Sequence, residues 1–233
     1  FEIYQYLYDR INRAIRTFQP PLMVIDGMSI REGNLLIKDL EGRGYEVLRY
    51  SYSFSALPSN TSSFRRLFTT RYIEIRSGKV PSHIDSKMVV WISYPDEILH
   101  HAGRIITPAE AYERTKDVIF KALDRIAESC VVTIVSDHGY IMANMRWPIS
   151  RKAMRFLKSI FGTSRFIKLE EIDKSKLENL KRIPEERSYV FTDDKYCYVR
   201  GRYFWPIAGY RSTIAHGGLS LMECIVPLIE VRI

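Results

Sequence analysis

Cysteine is scarce in this chain. Three thiols in 233 residues, Cys130, Cys197 and Cys224, are odd in number, far apart and set in apolar neighbourhoods without a C-x-x-C spacing. That excludes a disulfide framework and a cysteine-built metal site, and leaves buried free thiols as the expectation. No run of about 18 apolar residues occurs, so the sequence holds no helical membrane span. The opening FEIYQYLYDR lacks the charged-then-apolar order of a secretory signal, and a cytoplasmic protein is expected. Phe1 is not an initiator, as expected of a processed chain or a piece cut from something longer. There is no G-x-S-x-G elbow, which argues against a serine esterase. Repeats, low-complexity tracts and a clear interdomain linker are also missing, so residues 1–233 read as a single domain, with a leading helical stretch over 1–19.

What is present is an ordinary globular composition, 46% hydrophobic and 12% aromatic, enough to bury a sizeable core. Lysine and arginine total 35 against 27 acidic residues, a net charge of +8 with a pI near 9.3, which favours an anionic partner.

Strand-like apolar runs alternate with amphipathic helical ones, the pattern of an α/β fold with a mostly parallel central sheet flanked by helices. Helical spacing over 3–18 precedes a buried strand in PPLMVIDG (20–27). Ser29 and Glu32 form a capping box that opens a helix closed by Gly44, and YEVLRYSYSF follows as the second strand. A loop and short helix fill 56–70, KMVVWISY (87–94) is the third strand, and Thr107-Pro108-Ala109-Glu110 is a second capping box. VVTIVS is the fourth strand, and residues 149–161 read as helix. The C-terminal part is less regular: 165–187 is densely charged, 188–204 reads as a hairpin turning at Asp193-Asp194, and CIVPLIEVRI returns as a strand whose Pro227 predicts an edge or a bulge.

Three of these strands end in acid: Asp26 after LMVI, Asp96 just past VVWISYP, and the pair Asp137-His138 after VVTIVS. Ligands of open α/β sheets bind beyond the carboxyl ends of the strands, so these groups should crowd one crevice, and crowded carboxylates need a cation. His100 follows Asp96 by four residues, one helical turn, and His216 lies in AHGG, whose glycines admit close backbone approach. Each has a plainer reading taken singly: Asp26 as a bond to backbone at a helix head, His138 as a hydrogen-bonded structural histidine, Asp96 and His100 as an exposed pair. Their conjunction favours a metal site. A set of carboxylates and imidazoles suits Zn²⁺ or Mn²⁺ better than Ca²⁺.

VIDGMS, ALPSNT, DEILH, VSDHGY and AHGGLSLMECIVP follow one another in an order that resembles the alkaline-phosphatase superfamily, and within it the PglZ domain of phage-resistance systems, from about residue 20 to the C-terminus. The resemblance implies two divalent ions, one held by Asp26, Asp137 and His138 with the nucleophile's hydroxyl, the other by Asp96, His100 and His216. It also implies a phosphohydrolase, a phosphodiesterase by expectation, in which Thr61, three residues after Pro58, attacks phosphorus and forms a phosphothreonine that water then hydrolyses. Ser59, Ser62, Ser63 and Ser29 are competing hydroxyls, one of the first group being expected as an N-cap, and His101 competes with His100. The implied partners are a phosphodiester, nucleic acid or nucleotide, and other defence proteins, with no membrane. The rival from another class is a nucleic-acid-binding or scaffolding subunit with little turnover. For that rival, Arg151, Arg155 and Lys158 share a helical face near Arg146, Lys152 and Arg165, though a solvated face explains them more simply. The aromatics near 188–210 could stack bases, but hairpin packing accounts for them better. Arg65, Arg66 or Arg211 is the cation that could meet a monoester's extra charge.

Overall fold

The computed structural model describes residues 2–14, 18–68, 71–101, 107–126, 130–142, 145–182, 188–205 and 214–233, without the side chains of 2, 100, 101 and 180–182. Its centre is a six-stranded sheet. Strand β1 (Leu22–Ile25) pairs in parallel with β4 (Val89–Ile92) on one side and β5 (Val131–Ser136) on the other, and β3 (Tyr72–Ile75) extends the β4 side. Beyond β5 come β11 (Ile225–Arg232), the one antiparallel member, and β2 (Glu46–Phe54) at the edge. β1 and β4 are buried along their whole length, which is why they read as unbroken apolar runs rather than alternating ones.

The pleat sorts their side chains to two faces. Met23, Ile25, Val90, Ile92 and Ile134 pack with Leu36 and Leu40 of α2 (Ile30–Gly42) and Ile119 and Leu123 of α5 (Pro108–Leu123). Leu22, Val24, Trp91, Val135 and Val226 face the other way, onto Phe64 of α3 (Thr61–Arg65). Both capping boxes form, Ser29 with Glu32 and Thr107 with Glu110. A second layer is built by β7 (Phe166–Lys168), β8 (Val190–Thr192) and β9 (Tyr196–Val199), an antiparallel sheet covered by α6 (Arg151–Phe161), by Leu177 of α7 (Lys174–Arg182) and by α1 (Glu2–Arg13). Its hairpin turns at Asp193, whose Oδ1 accepts the Lys195 and Tyr196 amides at 2.7 and 2.6 Å.

Two expectations change, and β3 is added on residues to which the sequence assigned no element, since YIEI is a mixed, partly exposed stretch and not an unbroken apolar run. Pro227 is not at an edge: β11 lies between β2 and β5, and pairing with β5 begins only at Leu228, so proline's missing amide removes no bond on that side; the strand does carry a register irregularity against β2, but at Glu230–Val231 and not at the proline. Pro227 instead seats α2, since a Cβ at Gly33 would lie 2.5 Å from its ring. Arg165 leaves the basic surface altogether and is buried, while Arg146, Arg151, Lys152, Arg155 and Lys158 stay exposed.

Candidate metal centre

The parallel register aligns Ile25 with Ser136 and with Ile92, so the chains leaving β1, β5 and β4 emerge together and deliver Asp26, Asp137 and Asp96 to one crevice. Two backbone bonds hold them: the Asp26 amide donates to the Ile92 carbonyl at 2.9 Å and the Asp96 amide to the Asp26 carbonyl at 3.1 Å. Between them sits Gly27, at φ +74, where a Cβ would lie 3.1 Å from Asp96 Cβ and 3.5 Å from His138. Glycine is required for the carboxylates and the imidazole to meet.

Asp137 and His138 are fully buried, and Asp26 is 8% exposed. Asp137 Oδ1 accepts the amides of Gly27 (3.0 Å) and His138 (2.9 Å), while its buried Oδ2 has no hydrogen-bond partner. The Ser136 hydroxyl, 2.7 Å from the Ile25 carbonyl, accepts the Met28 amide at 2.9 Å and so ties β5 to the loop that carries Asp26. His138 Nδ1 lies 3.0 Å from the Gly139 carbonyl, an acceptor only, so Nδ1 carries the hydrogen. Nε2 therefore turns toward Thr61 Oγ1 (3.3 Å), Asp26 Oδ1 (3.5 Å) and Asp137 Oδ2 (3.7 Å). A bare lone pair facing two carboxylates is unfavourable; a proton or a metal ion must occupy that space.

The electrostatics agree. Burial, then the neighbouring Asp26 charge, pushes Asp137 well above the usual carboxylate range. For His138 burial alone would lower the pKa, but the charges of Asp137, Asp26 and Asp96 together outweigh it and hold the ring up at about 10. In the metal-free protein a proton held within the His138–Asp137 pair would balance the cluster. A divalent ion would replace it and would also take the unpaired Asp137 oxygen. On both observations the residues fit a metal.

The second cluster adjoins the first. β6 (Ile141–Met142), just past His138, pairs with β10 (Ile214–Ala215), which brings His216 onto His138 with ring centroids 4.1 Å apart and planes 15° from parallel. His216 Nε2 is 3.7 Å from Asp96 Oδ1, at the first residue of α4 (Asp96–His101). Among the described residues two groups of potential ligand atoms result, each within 4.8 Å of one another: Asp26, Asp137 and His138, and Asp96, His138 and His216. His138 is thus a member of both candidate groups, although with Nδ1 carrying the hydrogen its single Nε2 lone pair can ligate only one ion. His100 falls on α4 one turn after Asp96, but its side chain and that of His101 lie outside the described residues, as does Arg211.

The competing hydroxyls separate by their bonds. Asn60, not a hydroxyl, caps α3, its side chain accepting the Ser63 amide at 2.8 Å; this corrects the expected serine or threonine cap. The Thr61 hydroxyl is thereby left to donate to Asp26 Oδ1 at 3.1 Å. Ser29 is occupied in its capping box with Glu32. Ser59 is buried, bonded to the loop after His216. Ser63 Oγ accepts from Arg66 at 3.0 Å.

Sequence reading missed the support beneath His216. Glu223, fully buried, accepts both Nε (2.8 Å) and Nη2 (3.0 Å) of Arg165, the Gly218 amide (2.8 Å) and the Ser220 hydroxyl (2.5 Å). The signal was available: Ser220-Leu221-Met222-Glu223 has the capping-box form, and it opens α8 (Leu221–Cys224). Gly139 is required here too, because a Cβ would lie 2.2 Å from the Met222 carbonyl.

No family model and no curated protein matches this chain. Among solved structures it is similar to phosphonoacetate hydrolase from Sinorhizobium meliloti 1021, in complexes with phosphonoacetate and with phosphonoformate. Each match has a TM-score of 0.30 and 14% identity, over 62% of this chain. The chain spans 46% of that hydrolase, less than half its length.

Proposed function

We propose that this chain is a metal-dependent phosphohydrolase of the alkaline-phosphatase type, a phosphodiesterase by preference, with Thr61 as nucleophile. One divalent ion, Zn²⁺ or Mn²⁺, would be held by Asp26, Asp137 and His138, and the other by Asp96, His216 and His100. The observation that carries the proposal is the Thr61 hydroxyl, uncapped and within 3.3 Å of both Asp26 Oδ1 and His138 Nε2. When bound, such ions supply the positive charge that makes a hydroxyl a competent nucleophile and offsets charge developing on the attacking and leaving oxygens.

The chain's own groups do the rest. Asp26 orients the Thr61 hydroxyl and stands ready to take its proton at Oδ1. Asp137 is fixed by two amides and His138 by the Gly139 carbonyl, so neither needs to reorganise during reaction. Thr61 Oγ1 forms its bond to phosphorus as the ester's P–O bond breaks and the alcohol departs, and water then cleaves the phosphothreonine. A diester is favoured because Arg65, one cation that could meet a monoester's extra charge, is paired with Glu74 at 2.5 Å and covered by Trp91. The PglZ resemblance extends the proposal to nucleic acid or nucleotide substrates and to a place beside other phage-defence proteins.

Metal analysis of the purified protein, combined with assays on two nitrophenyl esters, tests this. Bound Zn²⁺ or Mn²⁺ and faster cleavage of bis-nitrophenyl phosphate than of nitrophenyl phosphate are expected. Faster monoester cleavage would make it a phosphatase, and cleavage of neither in any divalent metal would favour the scaffolding role.

A further inference from the structure

Ser59 lies two residues before Thr61 and is fully buried, with its hydroxyl turned to backbone. Its hydroxyl donates to the Gly218 carbonyl at 2.7 Å and accepts the Gly217 amide at 3.2 Å, so its hydrogen and an acceptor lone pair are both used on the two residues that follow His216. That loop is otherwise secured from the opposite side. The Leu219 amide donates to Val199 at 2.9 Å, the Gly218 amide donates to Glu223 at 2.8 Å, and Glu223 is locked by Arg165. Side chains are shut out at both glycines: Gly217 has φ +102 and a Cβ there would meet Phe166 at 2.8 Å, while one at Gly218 would meet the Val199 carbonyl at 2.6 Å. The His216 loop is therefore a rigid seat, and Ser59 joins the segment carrying Thr61 to it.

We infer that Ser59 is a positioning residue that sets the separation between the Thr61 hydroxyl and His216, and hence between the attacking oxygen and the second cluster; the inference rests on the proposed two-metal reading. The physical reason is that Asn60 caps α3 and Thr61 begins it, so the start of this five-residue helix depends on bonds made by the residues just before it. Without Ser59 Oγ, a buried amide and a buried carbonyl lose a partner, and the two loops are free to settle at a different spacing.

The test is a Co²⁺ titration followed by visible absorption, together with kcat and KM on bis-nitrophenyl phosphate, for wild type, Ser59→Ala and Ser59→Thr. Ser59→Ala is expected to weaken one of two Co²⁺ binding steps roughly 10- to 100-fold and leave the other, with a kcat loss of similar size at near-constant KM. Ser59→Thr, which keeps the hydroxyl, should restore both. Wild-type titration and kcat in Ser59→Ala would overturn the inference while leaving the two-metal reading intact. Uniform weakening of both steps with a lower Tm, or failure of Ser59→Thr to restore them, would also overturn it. A wild-type protein that binds no Co²⁺ would remove the two-metal reading and this inference with it.

Discussion

Thr61 and Ser59 are two residues apart, yet their surroundings differ in kind: one hydroxyl faces a carboxylate and an imidazole, the other two backbone groups of a loop. Thr61→Ala should therefore lower turnover by more than about a thousandfold, since loss of a nucleophile is among the most damaging single changes in an enzyme. Metal content should stay near wild type, because the carboxylates and imidazoles that need the charge remain. Retained turnover in Thr61→Ala would move the nucleophile elsewhere. Asp137 makes the complementary case. Its Oδ2 is buried without a hydrogen-bond partner, so added Zn²⁺ or Mn²⁺ is expected to raise the Tm of the wild type, and Asp137→Ala should lose both the bound metal and that rise. Equal metal content in mutant and wild type would refute the assignment.

Among the elements, the small antiparallel sheet and the central sheet are joined through the buried Arg165–Glu223 pair. Arg165 also donates to the carbonyls of Gly201, at 2.8 Å, and Tyr203, so one guanidinium ties the start of β7, the turn after β9 and α8 together. Removing one member of a buried, hydrogen-bonded pair leaves an uncompensated charge and costs about 3–5 kcal/mol. Arg165→Met is expected to lower Tm by on the order of ten degrees, with the Arg165→Met/Glu223→Met double variant falling well short of the sum of the single losses. Thermal unfolding of the three variants checks this; additive losses would show that the two side chains act independently.

For the whole molecule, the concentration of acid at the crevice makes stability depend on pH in a direction that metal should reverse. His138 has a folded pKa of about 10 against an ordinary value of 6.5, so its contribution is fully present below 6.5 and is lost as pH rises through the folded value. Asp137, also raised, has the same sign: the fold favours its protonated form and loses stability as it ionises. Metal-free protein should consequently show a Tm that falls as pH rises, through about pH 7 for Asp137 and on to about pH 10 for His138. With Zn²⁺ or Mn²⁺ the fall should flatten or invert, because ligands that lose protons bind metal more strongly. Parallel melting curves with and without metal would contradict this. No helix among the described residues is long and apolar enough to cross a membrane.

The sequence by itself determined the alternation of strand and helix, both predicted capping boxes, the hairpin at Asp193, and the acids at or just past three strand ends. All of these are local: periodicity, caps and turn residues act over a few positions, and strand ends mark themselves where apolar runs stop. Tertiary structure alone decided which strands are neighbours, and so why Asp26 and Asp137 meet through the Ile25–Ser136 register. It decided that Asn60 rather than a hydroxyl caps α3, that Pro227 belongs to an interior strand, and that Arg165 is buried against Glu223 rather than solvated. It also made His138 common to both clusters, because the short β6–β10 pairing stacks His216 upon it. The reason is the same in each case: side chains of one type look alike along the chain, and only their long-range partners distinguish a cap from a nucleophile or a surface arginine from a buried one.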